Sequence, residues 1–283
     1  MFGFGNRKIP AQPQQPRQHP TARPTAATAS GTPPVAGAPP ASPDRSWAAC
    51  NLAPVDGKVL PWAGDPQAFG ACNVAAANLA DGLLSWVTRE GQVHADTYVA
   101  TSGVIAGYAA QQSLRELDPS ARLDVITTSS GEQYLSGEPL DAMLLAKTEA
   151  EASGRVWPRA AGAAVHVGML MSRIPNVDDM FRHVAQSLGG PSEGLPSTGP
   201  ERQPLVPARQ LLALAWPLVT QLFEAVDSQR GWGPVPLKWR GAVAAYVTAR
   251  PILDVRDVLD PAIGLTILME SAIYASKLTR FSM

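Results

Sequence analysis

The chain has 283 residues, of which 45% are hydrophobic and 17% charged, so it is long enough to bury a core without disulfides or a structural metal. The net charge is −1, but the first 43 residues hold Arg7, Lys8, Arg17 and Arg23 and no acid, which leaves the remainder at about −5 and without the basic footprint of a nucleic-acid binder. Two cysteines, Cys50 and Cys72, exclude a disulfide framework and any CxxC ligand spacing, and point to reduced thiols in a cytoplasmic protein.

Residues 1–46 read as a disordered, proline-rich arm. Ten prolines fall between Pro10 and Pro43 among Gln, Thr, Ala and Ser, a composition that buries too little apolar surface to offset its ordering entropy. Residues 1–20 contain no apolar h-region. The tip differs from the rest: Phe2 and Phe4 sit between glycines ahead of Arg7 and Lys8, a short candidate docking peptide set against an ordinary frayed terminus. The alanine- and proline-rich composition resembles that of proteins from high-GC bacteria.

From Trp47 the pattern becomes mainly α. A first helix is expected over about 70–88, where Cys72, Ala75, Ala76, Leu79, Leu83 and Trp86 recur at 3–4 spacing. A second over about 95–117 is small or apolar all round in its middle, which predicts burial, and Gly103 and Gly107 would admit a close backbone neighbour. Residues 122–137 alternate and turn at Ser129-Ser130-Gly131, the one β-hairpin candidate. A helix should follow Glu138-Pro139 to about Ser153. Residues 154–172 fit a buried strand or a buried helix, with frequent alanine favouring helix.

Asn176 as N-cap predicts a helix ending at Gly189-Gly190. Residues 189–206 then form a long loop, taken as the boundary between a subdomain over 47–190 and another over 207–283. A helix over about 207–228 should kink at Pro217. The next, over about 238–249, should end at Pro251. Asp254 with Asp257 would start a short helix, and Asp260-Pro261 starts the last. The longest apolar stretch, LLALAWPLV at 211–219, has nine residues, less than half of the roughly 20 a bilayer span needs. The helices that are apolar on all sides would suit a homo-oligomer that buries them.

Chemistry is sparse. The sequence lacks a Walker A loop, an HExxH pair, a GxSxG elbow and a dinucleotide fingerprint, and nothing in it calls for a cofactor or a metal. His94 with Asp96 reads as a helix cap, and His183 lies four residues after Asp179, the spacing of a surface pair. The stretch PQAFGACNVAAANLA (66–80) places Cys72 after Gly-Ala at a helix start, with Gln67 five residues upstream. It resembles the cysteine helix of papain-like cysteine peptidases. That resemblance implies a thiolate nucleophile at Cys72, Gln67 at the oxyanion hole, and His166 oriented by Asn176 or Asp178. In this sequence Ala71 and Asn73 stand where the family has glycine and tryptophan around the cysteine, and Cys72 shares the apolar stripe of its helix, as a small core hydrophobe would. Of the tryptophans, Trp62, Trp157, Trp232 and Trp239 fall in loops. Trp232 and Trp239 are candidate partner-binding anchors, unless they pin loops to the core. The expectation is a protein-interaction module that binds a protein partner, with no nucleic acid and no membrane. The alternative is a cysteine hydrolase using Cys72 and His166.

Overall fold

A computed structural model describes residues 60–146, 148, 151–229 and 231–279, and the proline-rich arm with Phe2 and Phe4 lies outside them. The described part is mainly helical, with two small antiparallel hairpins. Asp65 opens α1 (Pro66–Val87): its carboxylate accepts from the Ala68 amide at 3.1 Å, and Pro66 fills a first-turn position where no donor is needed. The inward stripe of α1 runs through Ala68, Cys72, Ala76, Leu79 and Leu83. A two-residue turn follows, Glu90-Gly91, with both φ angles positive (50° and 77°), as a primed hairpin turn requires. It joins β1 (Thr88–Arg89) to β2 (Gln92–Val93), a hairpin too short for periodicity to reveal.

His94 caps α2 (Ala95–Leu117), its Nδ1 accepting from the Thr97 amide at 3.3 Å. This helix is the axis of the fold. It packs most extensively on α9 (Pro261–Ser276) and next on α7 (Leu237–Val247). Gly103 and Gly107 lie against the α9 backbone at Leu268 and Ala272, so close that a Cβ at Gly107 would sit 2.0 Å from the Ala272 carbonyl oxygen. On the other side Gly241 of α7 meets Ala110, and its amide donates to Ser113 Oγ at 2.8 Å. Gln111 Nε2 donates to the carbonyls of Ser276 (2.9 Å) and Leu278 (2.7 Å), closing the C-terminal end of the seam. Small residues thus let three backbones approach within the distance that larger side chains would hold apart.

The hairpin expected near 122–137 is β3 (Asp124–Thr127) paired with β4 (Gln133–Ser136). Tyr134 of β4 bridges to Leu278, and the Leu135 amide donates to Lys277 O at 2.7 Å. The helix after Gly137 is shorter than the sequence suggested: α3 (Glu138–Leu145) stops at Ala146, which adopts φ 69°. The ambiguous stretch is helical, as α4 (Val156–His166), with Ala160, Ala163 and Ala164 buried. Asn176 caps α5 (Val177–Ser187) through the Asp178 amide.

Residues 189–206 are irregular apart from one 3₁₀ turn, Pro200–Arg202. They join two halves of one shared core, since α2 from the first half packs directly on α7 and α9 from the second. Then comes α6 (Ala208–Glu224), which continues through Pro217. α7 is followed by α8 (Ala249–Asp254), where Pro251 lies inside the first turn instead of ending a helix: the donor it lacks would be unpaired there anyway. Asp254 closes α8 and starts nothing; it accepts from Arg250 Nε at 2.7 Å and from Tyr98 OH at 3.2 Å. Asp260 caps α9 through the Ala262 amide at 2.8 Å, with Pro261 in the first turn as expected.

Candidate functional site

Each predicted site residue has a definite place. Cys72 is 0% exposed on the inward face of α1. Burial, reinforced by the Asp65 carboxylate, pushes its thiol up to about 12. A helix N-terminus lowers a thiol pKa only where the thiolate can be solvated, and a group shut in the core keeps its proton. His166 is the exposed last residue of α4, and no hydrogen bond joins it to Cys72. Gln67 is exposed on the first turn of α1; Asp178 is exposed on α5 and offers its amide to Asn176. The elements therefore hold a sealed thiol and a solvent-facing imidazole apart, and the geometry that the peptidase resemblance implies is not assembled.

Of the four tryptophans expected in loops, Trp157 lies in the first turn of α4 and Trp239 in that of α7, while Trp62 and Trp232 lie outside the helices. Trp62 is fully buried, donates to Asn73 Oδ1 at 3.0 Å and packs edge-on to Tyr246 at 5.7 Å. Trp239 is half-buried and donates to Asp65 Oδ2 at 3.0 Å, on the oxygen that Lys238 Nζ also reaches at 3.0 Å. These donors hold the Asp65 carboxyl down at about 2, the indole contributing most, then Lys238 and the Ala68 amide. Trp232 is half-buried against α1, where a Cβ at Gly70 would collide with its indole at 2.2 Å. A backbone bridge to Asp227 (3.0 and 2.9 Å) holds its loop.

Trp232 also walls an open feature that a ligand can enter. An open groove of about 400 Å³ runs between α1 (Ala71, Val74, Ala75, Asn78) and the end of α6 with the following loop (Leu222, Val226, Trp232). Its lining mixes Val74, Leu222 and Val226, the last 65% exposed, with Asn78, Asp227, Ser228 and Gln229. A second depression of about 650 Å³ lies over the Asp65–Lys238–Trp239 cluster, whose polar groups already satisfy one another.

Two polar clusters escaped the sequence. In the first, Arg209 of α6 donates from Nη2 to Glu193 Oε1 (3.1 Å), Glu132 Oε2 (3.2 Å) and Tyr134 OH (3.2 Å), and from Nε to Tyr274 OH (3.2 Å). Tyr274 in turn donates to Glu193. Burial pushes both tyrosine hydroxyls well above their usual range, and the neighbouring glutamates push further. They therefore act as neutral donors in a tie among the hairpin, the 189–206 segment, α6 and α9.

In the second, Glu270 of α9 is 3% exposed and accepts twice from Ser197, from the amide at 2.6 Å and from Oγ at 2.7 Å. His183 does not pair with Asp179, which Arg182 takes instead; its Nε2 sits 3.1 Å from Leu195 O and 4.0 Å from Glu270 Oε2. Serine, glutamate and histidine here resemble a hydrolytic triad in composition only. Both donors of Ser197 are spent on the carboxylate, and the cavity beside it holds about 10 Å³, less than one water. Lone polar residues in apolar runs were the available signal: Glu270 is the single charged residue of α9.

Among the described residues no helix is long and apolar enough to cross a membrane, and no group of three or more His, Cys, Asp or Glu is placed to hold a metal ion. No family model, no curated protein and no solved structure matches the chain.

Proposed function

We propose that this protein is a non-enzymatic protein-interaction module, and that a partner's amphipathic segment seats in the groove between α1 and the α6–α7 connection. The groove itself carries this reading: about 400 Å³, open, with Val74, Leu222 and Val226 beside Asn78, Asp227 and Gln229, and walled by the half-buried Trp232 that Gly70 lets approach α1. Partly buried tryptophans beside small apolar residues are the common anchor points of protein interfaces. The sealed Cys72 supports the same choice over a cysteine hydrolase. A bacterial cytoplasmic setting is part of the proposal and rests on composition and cysteine usage.

The test is site-specific photo-crosslinking with the full chain in cells. A photoreactive residue at Val226 should give a discrete adduct that disappears when Val74→Asp places a charge on the groove floor. The same probe at Leu170, 65% exposed on a different surface element, serves as control. Identical products from both positions, or an adduct indifferent to Val74→Asp, would rule the groove out.

A further inference from the structure

Segments of more than about 12–15 residues without their own regular structure are uncommon in a compact body, and residues 189–206 need an explanation for their order. Polar clasps supply it. Glu193 is held by Tyr274 and Arg209; the Leu205 amide donates to Thr97 Oγ1 at 2.9 Å; and Ser197, in the middle, is held by Glu270. Only the middle clasp is built on an acid withdrawn from water with no lysine or arginine beside it.

We propose that Glu270, His183 and Ser197 form a proton-dependent latch: the 193–205 segment closes over α9 with uptake of a proton and opens as pH rises. In the closed form the Glu270 carboxylate loses its hydration. Burial raises its pKa, outweighing the two Ser197 hydrogen bonds and the nearby imidazole, which act the other way. A proton placed on Glu270 removes the buried charge. His183 Nε2 stands 4.0 Å away. The closed form therefore holds a proton on Glu270 that the open form, with the carboxylate back in water, gives up. Linkage then makes closure complete at low pH and progressively lost as pH rises through the elevated value of Glu270.

Burial would raise Glu193 in the same segment, but hydrogen bonds from Tyr274, Tyr134, the Gly189 amide and Arg209 outweigh it and hold its carboxyl below the usual range, so it is ionised throughout the range in which Glu270 responds. The charged groups of the packed elements are otherwise engaged. α2 carries no charged residue between Thr97 and Leu114. On α4, Arg159 lies over the Tyr246 ring at 4.1 Å and His166 is exposed at the far end. On α6, Arg209 is taken up by Glu193, Glu132 and the two tyrosines, one turn along at Tyr274. On α8, Arg250 and Asp254 pair with each other, and on α3 Asp141 pairs with Lys277. His183 of α5, 4.0 Å away, is left as the neighbour of Glu270.

The experiment is amide hydrogen exchange of the full chain between pH 5 and 8, corrected for the intrinsic pH dependence of exchange. Ile105 in the middle of α2 reports global opening. The Ser197 amide should open in excess of Ile105, with an opening constant that rises by up to tenfold per pH unit, the limit for one proton. Glu270→Gln, which keeps the shape and one acceptor, should flatten that dependence. His183→Ala should move its midpoint to higher pH, because the carboxylate loses the group that favours its charge. A pH-invariant Ser197, a wild-type slope in Glu270→Gln, or an unmoved midpoint in His183→Ala overturns the latch. The histidine variant is decisive even where the glutamine variant does not fold.

Discussion

Gly107→Ala sets two physical effects against each other. In an isolated helix alanine is better than glycine by about 1 kcal/mol, because glycine gives up more backbone freedom on folding. On that ground the substitution should stabilise α2. Its Cβ, however, would stand 2.0 Å from the carbonyl oxygen of Ala272, 2.7 Å from its carbonyl carbon and 2.8 Å from its Cα. These are backbone atoms in the middle of α9 and cannot rotate aside. Relief requires α2 and α9 to part by on the order of 1 Å along the most extensive helix contact in the fold, which also loosens Gly103 on Leu268. Overpacking of this kind costs about 1–3 kcal/mol, and a backbone obstacle places it at the top of that range. The net expectation is a loss of about 2 kcal/mol or more, a fall in Tm of roughly 4–8 °C for a body of this size.

Urea titration followed by far-UV circular dichroism measures the loss, and Gly82→Ala provides the matched control. Gly82 lies inside α1, and its added Cβ would meet the side chains of Leu222 at 3.4 Å and Leu218 at 4.0 Å, both ordinary contacts. That variant should be as stable as the parent or more so by up to about 1 kcal/mol. A Gly107→Ala protein no less stable than the parent would refute the backbone-contact account of the α2–α9 seam. Equal effects at positions 82 and 107 would refute it as well.

Two further outcomes follow from the polar and ionisable groups. With Cys50 replaced by serine, Cys72 should label in the native protein at pH 8 at least a hundredfold more slowly than in denaturant, since a thiol near 12 leaves roughly one part in ten thousand as thiolate; labelling at the unfolded rate would reopen the nucleophile. Asp65→Asn should lower Tm at pH 7, because a carboxyl held at about 2 against an ordinary 3.8 contributes stability above pH 3.8 and loses it as pH falls through 2. The Tm gap between variant and parent should therefore close between pH 4 and pH 2, and a gap constant over that range would show that the Asp65 charge is not what the Trp239 and Lys238 contacts stabilise.

How much of this was readable in the sequence depends on how far apart the interacting residues lie. Cys72, Leu79 and Leu83 repeat within one helix, and periodicity alone turned them inward. Asp260-Pro261 and His94 mark helix starts through contacts two or three residues long. Gly103 and Gly107 announced a close neighbour without naming α9, because spacing on one helix says nothing about what lies across it. Where a position offers two local partners, sequence spacing misleads: Asp179 has Arg182 three residues on and His183 four residues on, and the guanidinium takes it. His183 is thereby left to face α9, where the Ser197 clasp to Glu270 spans 73 residues and the Tyr274 bond to Glu193 spans 81. Such pairs leave one trace in a single sequence, a charged residue that interrupts an apolar helix. Glu270 was that trace. A buried carboxylate must find donors, so a lone acid in the most apolar helix of a chain predicts that a polar segment from elsewhere will cross it. Here that segment is the 189–206 loop, which reads as a boundary by composition and is held by chemistry that composition does not show.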